Sequence, residues 1–269
     1  MFCIIYKAMI NFNSKKNRKF ISIFPVSVVL LSLVMFAGAC QQIGNQGNSA
    51  SIENEPTDNT MITKAEDKES QSEMTPDKAM DALKSGNERF IGKNMLERDL
   101  IAQVEATASG QYPHSVVLSC IDSRIPTEIV FDQGVGDIFN ARIAGNFVNE
   151  DILGSMEFAC KVAGSKLIVV MGHTSCGAVK GACDDVKLGN LTQMLDKIHP
   201  AVEAVETPDG VERNSSNIDF VNDVSLKNVE LTIQDIREKS PVLAEMHNAG
   251  EIDIVGAMYD VKSGKVEFY

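Results

Sequence analysis

Basic residues are scarce in this chain. Lys and Arg number 25 against 37 Asp and Glu, and there are four His and no Trp among 269 residues. Residues 1–39 hold five of the basic residues and no acidic ones, so the remainder carries 20 against 37, a net charge of −17. So acidic a balance disfavours nucleic acid as a partner and argues against a basic membrane-binding surface. Cysteine is sparse too, with six in all. Cys3 and Cys40 lie in or at an apolar N-terminal stretch and two others in one tight motif, which argues against a disulfide framework. No internal repeat is visible. What is present, 44% hydrophobic residues, suffices to bury one sizeable core.

The N-terminus reads as an export signal. Lys15, Lys16, Arg18 and Lys19 precede an apolar run from Phe20 to Phe36, followed by Ala37, Gly38, Ala39 and Cys40. Met9 is an alternative start to Met1. The Ala-Gly-Ala-Cys ending resembles a bacterial lipoprotein signal, with Cys40 as the lipidated first residue of the mature chain. The run is also long enough to span a bilayer, so a retained anchor is the alternative. Both readings place the folded part outside the cytoplasmic membrane, periplasmic or in the cell envelope. Gln41 to Glu73 is rich in Asn, Gln, Ser, Glu and Asp and has no hydrophobic periodicity. Such a segment buries too little surface to offset its ordering entropy, which predicts a disordered tether over 40–74. Three parts are therefore expected: the signal 1–39, the tether 40–74 and a catalytic domain 75–269.

Within the domain, Thr75-Pro76-Asp77 has the marks of a helix start: a capping hydroxyl, an early proline and an early acid. That helix is expected to end near Gly92, and a second short one to cover Leu100 to Ala108. A β/α alternation follows. Ser115 to Ser119, Asp137 to Ile143 and Lys166 to Gly172 read as strands, with helices over Pro126 to Asp132 and Asp151 to Ala163. Continuous apolar strands between helices imply an α/β fold with a mainly parallel sheet covered on both faces. Gly177 to Val205 and Phe220 to His247 read as mostly helical, with Pro200 and Pro241 as interruptions, and Ile252 to Met258 with Lys265 to Tyr269 as an antiparallel hairpin.

Two segments at the C-terminal ends of predicted parallel strands carry the chemistry, where α/β folds place their ligands. They are Cys120-Ile121-Asp122-Ser123-Arg124 and Gly172-His173-Thr174-Ser175-Cys176-Gly177. A lone His-x-x-Cys pair fits a core histidine beside a buried thiol equally well. Adding Cys120 makes two thiolates and one imidazole, three zinc ligands with a fourth position left for water, the pattern of a catalytic site. Cys160 and Cys183, in predicted helices, read as small core residues. Asp122 and Arg124 are placed to form an outer pair, the carboxylate near a metal-bound water and the guanidinium holding it.

Cys-x-Asp-Ser-Arg followed 53 positions later by His-x-x-Cys closely resembles the β-class carbonic anhydrases. Gly86-Asn87-Glu88-Arg89-Phe90, Gly136-Asp137-Ile138-Phe139, Arg142 with Ala144-Gly145-Asn146, and Gly177-Ala178-Val179 extend the likeness over roughly residues 75–269. The resemblance implies that fold, with an N-terminal helical arm and a C-terminal hairpin. It implies one Zn2+ per chain on Cys120, His173 and Cys176, and Asp122 with Arg124 as the catalytic dyad. Gln111, the apolar wall Phe139 and the Gly177 amide match substrate contacts. Phe158 stands where the plant enzymes have a pocket tyrosine, so a hydroxyl is missing there. Val117 replaces the tryptophan typical of the bicarbonate-inhibited subclass, which with Gln111 implies an open, water-bound zinc.

The implied reaction is reversible hydration of carbon dioxide to bicarbonate and a proton. Zinc lowers the pKa of bound water to about 7, and Asp122 would take the hydroxide's hydrogen bond and orient it toward the gas. His114, His199 and His247 read as surface or core residues, so no proton shuttle is named. The resemblance also implies a homodimer or higher homo-oligomer, with N-terminal helices embracing a neighbour and the zinc cleft near the subunit contact. Competing readings are a hydrolase of carbonyl sulfide or carbon disulfide on the same site, a non-enzymatic zinc-binding lipoprotein, and a cysteine hydrolase using Cys120 and His173. The last leaves Cys176 without a role.

Overall fold

The computed structural model describes residues 61–269. The export signal, Cys40 and the first part of the expected tether lie outside the described residues. No helix among the described residues is long and apolar enough to cross a membrane.

Five strands form one sheet in the order β2-β1-β3-β4-β5. They are β1 (Ser115–Ser119), β2 (Ile138–Arg142), β3 (Leu167–His173), β4 (Asp253–Tyr259) and β5 (Val266–Phe268). The first four run parallel and only β5 is antiparallel, joined to β4 as the C-terminal hairpin. Every residue of β1 and β3 is buried, because helices cover both faces of a parallel sheet. The period of two sorts the side chains. Val117, Val169, Met171 and Ala257 point into one core, and Val116, Leu118, Ile168, Val170 and Ile254 into the other.

The helices are α1 (Lys68–Ser72), α2 (Pro76–Ile91), α3 (Leu100–Thr107), α4 (Thr127–Val130), α5 (Glu150–Glu157), α6 (Gly177–Cys183), α7 (Gly189–Leu195), α8 (His199–Ala204), α9 (Ile218–Lys239) and α10 (Pro241–Asn248). Thr75 caps α2 by accepting from the Lys78 amide, as the motif predicts. The helix expected over 151–163 is α5, which passes into a π turn at Phe158–Val162. The long helical stretch from Gly177 breaks into α6, α7 and α8. Its breaks fall where Asp184 and Asp185 end α6 and where Pro200 opens α8.

The tether boundary needs correction. Residues 61–74 are ordered on the domain, although their composition predicts otherwise. Ile62 bridges to Arg98, Ala65 is buried and Asp67 caps α1. The Gln71 amide donates to the carbonyls of Pro113 and Ala163 at 3.0 and 2.8 Å. Polar side chains here satisfy backbone carbonyls of the domain instead of water, a gain that composition does not register.

The N-terminal helices also divide. Ala79 and Leu83 of α2 are wholly buried against the chain's own core, a burial worth about 1.5–3 kcal/mol for the leucine. The Asn87 amide donates to the carbonyls of Val130 and Gly264 and its oxygen accepts from the Val266 amide. Arg89 meets the buried Asp132 carboxylate at 2.5 Å and Arg98 pairs with its other oxygen. Removing one member of a buried ion pair of this kind costs about 3–5 kcal/mol. So α2 embraces its own sheet, while α3 turns Leu100, Ile101 and Val104 outward.

Candidate metal centre

Strands β1 and β3 are neighbours in parallel register, with Ser119 beside Met171. The chain therefore leaves both at the same end of the sheet. Cys120 follows β1 directly, His173 is the last residue of β3, and a turn through Ser175 places Cys176 at the cap of α6. The ligand atoms of these three residues lie within 4.8 Å of one another, all buried. The two sulfurs are 4.0 Å apart. Thiolates bound to tetrahedral zinc at about 2.3 Å would sit roughly 3.8 Å apart, so this spacing suits the ion.

His173 tests the fit independently. Its Nδ1 donates to the Thr174 carbonyl at 3.0 Å, which leaves the lone pair on Nε2. That nitrogen is buried and has no hydrogen-bond partner. An unpaired buried acceptor is costly in a core, whereas a cation between it and the two sulfurs satisfies it. The donor set fits zinc.

The electrostatics lean the same way. The contact with Cys176, aided by His173 and the backbone amides of Gly145 and Asp122, pulls the Cys120 thiol down to about 4. The same contact and burial push Cys176 up, opposed by the amides of Val179 and Ala178 in the first turn of α6. Sulfur binds a dication as thiolate, so metal binding here is tied to proton release.

Asp122 and Arg124 stand beside this cluster. Arg124 Nε and Nη2 donate to the two carboxylate oxygens at 2.9 and 2.7 Å, and its backbone amide donates at 3.0 Å. This two-pronged grip holds the Asp122 carboxyl well below the usual carboxylate range. Asp122 Oδ2 lies 4.0 Å from His173 Nε2. Arg142 supports the loop from behind, donating to the carbonyls of Cys120 and Asp122 at 2.9 and 2.6 Å. Gly177 opens α6 next to Cys176, so its N–H is one of the four that a helix start leaves without an internal partner.

The remaining pocket residues are elsewhere. Gln111 is exposed and precedes β1, whereas Cys120 follows it; the strand between spans roughly 16 Å at about 3.3 Å per residue. Phe139 pairs with Val116 in the register, four residues short of Cys120. Phe158 packs edge-on to Phe139 with ring centroids 6.2 Å apart. Both line a groove of about 580 Å³ on the β2 edge, and none of the three metal-binding residues lines it. Within one chain, then, the fold does not bring Gln111, Phe139 and Phe158 to the cluster. The five residues of β1 lie between Gln111 and Cys120, so the two sit beyond opposite ends of that strand.

Residues 115–266 match the carbonic anhydrase family. Carbonic anhydrase 2 of Mycobacterium tuberculosis is 35% identical over 196 residues, covering 71% of this chain and 91% of that protein. The crystal structure of the β-carbonic anhydrase CafA of Aspergillus fumigatus superposes with a TM-score of 0.52 at 27% identity, covering 62% of this chain and 79% of that one. The chain belongs to the β-class carbonic anhydrases. A tetrameric β-carbonic anhydrase of Sordaria macrospora shares the fold, with a TM-score of 0.53 at 23% identity over 61% of this chain and 84% of the other.

This carbonic anhydrase catalyses reversible hydration of carbon dioxide to bicarbonate, with zinc as its metal. Cys160 and Cys183 take no part in the cluster. Burial pushes the Cys160 thiol up to about 12 in the π turn, and Cys183, only partly buried at the end of α6, up to about 11. His114 is buried between Ser115 and Gln133, while His199 and His247 face Asp185 and Asp253. Sequence reasoning missed Tyr259, whose hydroxyl donates to the Arg124 carbonyl at 3.4 Å. It also missed Asn222 and Asn228 of α9, which bond to Ser175 between two ligands and to Gly145 behind Cys120; nothing local in the sequence marks any of the three.

Proposed function

We propose that this enzyme works as an exported, membrane-tethered carbonic anhydrase, with Asp122 and Arg124 as its catalytic dyad and Gln111, Phe139 and Phe158 supplied by a second copy of the chain. The observation that carries the catalytic part is the cluster with its dyad: two sulfurs, an orphaned imidazole nitrogen and a carboxylate fixed 4.0 Å from that nitrogen. Cys120, His173 and Cys176 would hold the zinc, which would supply a Lewis acid able to bring the pKa of a water to about 7. Asp122, acceptor-only in its ionised form, takes a hydrogen bond from the attacking oxygen and so turns its lone pair toward carbon dioxide. Arg124 keeps the carboxylate aimed and ionised. The Gly177 amide donates to an oxygen of the product as charge develops on it.

Supply of the pocket wall in trans is supported by the length of β1, which lies between Gln111 and Cys120, and by the tetrameric state of the Sordaria enzyme. Membrane tethering is supported by the signal-like residues 15–40. The sulfur heterocumulenes and a binding-only role have no observation in their favour.

The test is metal analysis and stopped-flow carbon dioxide hydration by the full chain. About one zinc per chain and robust hydration are expected in the parent, and Cys176→Ala is expected to lose zinc and more than about a hundredfold in rate. An active parent without metal would overturn the assignment. Fractionation of expressing bacteria tests the tether: the parent should sediment with membranes, and Cys40→Ala should shift into the soluble fraction if lipid holds it. A Cys40→Ala protein that stays on membranes points to a retained apolar anchor instead.

A further inference from the structure

Helix α9 carries no zinc ligand, yet it bonds to the loop that holds His173 and Cys176 and to the turn at Gly145, whose amide reaches Cys120. Along one face, at three- and four-residue spacing, it presents Asn222, Ser225, Asn228 and Thr232. Its close approach to β3 depends on Gly172, where an added Cβ would lie 2.8 Å from a methyl of Val229.

Asn222 acts on the loop of the second and third ligands. Its Oδ1 accepts from the Ser175 amide at 2.9 Å. Ser175 has φ +56°, a left-handed conformation that non-glycine residues adopt only where something holds them. The loop from His173 to Cys176 closes through that residue.

Asn228 acts on the first ligand through an intermediary. Its Nδ2 donates to the Gly145 carbonyl at 2.8 Å, and both partners are buried. The Gly145 amide in turn donates to Cys120 Sγ at 3.4 Å. Gly145 and Asn146 both have positive φ, +82° and +40°, and Thr232 Oγ reaches the Asn146 carbonyl at 3.4 Å. The left-handed turn that aims an N–H at the sulfur is thus held from α9 at two consecutive carbonyls.

We propose that Asn222 and Asn228 are positioning residues of the metal centre: α9 fixes the His173–Cys176 loop with an acceptor and the N–H···S bond on Cys120 with a donor. The proposal rests on the zinc reading of Cys120, His173 and Cys176. An amide hydrogen bond draws charge from a metal-binding thiolate. Partners behind metal ligands affect affinity about 10- to 100-fold, and these two are expected at the lower end.

Zinc affinity, measured against a competing chelator, and the sulfur-to-metal charge-transfer band of the cobalt-substituted protein test it without recourse to activity. Asn228→Leu keeps the volume and loses the donor; about tenfold weaker zinc and a band moved to longer wavelength are expected. Asn222→Leu should lose about as much affinity, while Asn222→Asp, which keeps the acceptor, should stay within about threefold of the parent. A role in helix packing alone would give none of this pattern. Leucine variants with the parent's affinity and band would overturn the proposal, as would Asn222→Asp binding as weakly as Asn222→Leu. Circular dichroism of the zinc-free proteins reports folding. Should Asn228→Leu not fold, the Asn222 pair alone decides. A parent that binds no zinc would instead overturn the metal reading beneath it.

Discussion

The two ends of β1 differ in how much of the site they complete. At the C-terminal end, two adjacent parallel strands and the start of α6 bring three ligands, a gripped carboxylate and a helix N-terminus together from one chain. At the N-terminal end, Gln111 is exposed and the Phe139–Phe158 groove opens along the free edge of β2. At the first end the three ligands are buried and the polar atoms are aimed. The second presents apolar rings without anything to react with. Metal chemistry needs donors fixed to within fractions of an ångström, which one rigid sheet end provides. A pocket wall needs only apolar surface, and that can be brought by another copy.

The sharpest way to break this contrast is at Asp122. Asp122→Ala should keep zinc and lower hydration by about 10²- to 10⁴-fold, as for loss of a general acid–base group; an undiminished rate would remove the dyad from the chemistry. The pH dependence carries a sign. The grip of Arg124 depresses the Asp122 pKa, so its stabilisation is in place above the ordinary carboxylate pKa of about 4 and is lost only as pH falls below it. The carboxylate should therefore stay ionised from pH 5 to 9 by carbonyl-region infrared difference spectroscopy. Arg124→Gln should move its titration up toward about 4.

A second test separates the two ends directly. Gln111→Ala should cost about tenfold in kcat/KM, the scale of one lost polar contact. If Gln111 serves a neighbour, mixed oligomers of Gln111→Ala and Cys176→Ala chains regain activity, because the zinc of one meets the glutamine of the other. If each chain uses its own, mixing restores nothing.

The smallest effect concerns the N-terminal segment. Gln71→Ala removes two hydrogen bonds that pin residues 61–74. A loss of about 1–2 kcal/mol is expected in urea unfolding. No change at all would return this segment to the tether.

Much of this was legible in the residues. The aliphatic centres of the strands Ser115–Ser119 and Leu167–His173 announced their burial, Thr75 with Pro76 announced the start of α2, and the two short motifs announced the Cys-His-Cys cluster and the Asp122–Arg124 pair beside it. Other features were illegible for identifiable reasons. Residues 61–74 look disordered because their partners are backbone carbonyls, which have no composition. Of the breaks in 177–205, Pro200 was readable, whereas the one at Asp184 and Asp185 depends on a local turn that a hydrophobic period runs through. Asn222 and Asn228 look like any polar residues on a long helix, since their partners lie 47 and 83 positions away.

By itself, then, the sequence determined the family and its chemistry: a Cys-His-Cys set suited to zinc, an Asp–Arg pair beside it, and the class of sheet that carries them. These follow from residue types at short spacing, and short spacing is preserved on folding. Tertiary structure decided which of them meet. Parallel pairing of β1 with β3 joined Cys120 to His173 and Cys176 across more than fifty residues, and the same pairing put Gln111 at the far end of the strand. Distances of that kind arise from packing, because a rigid extended strand keeps its two ends apart however close they are in the chain.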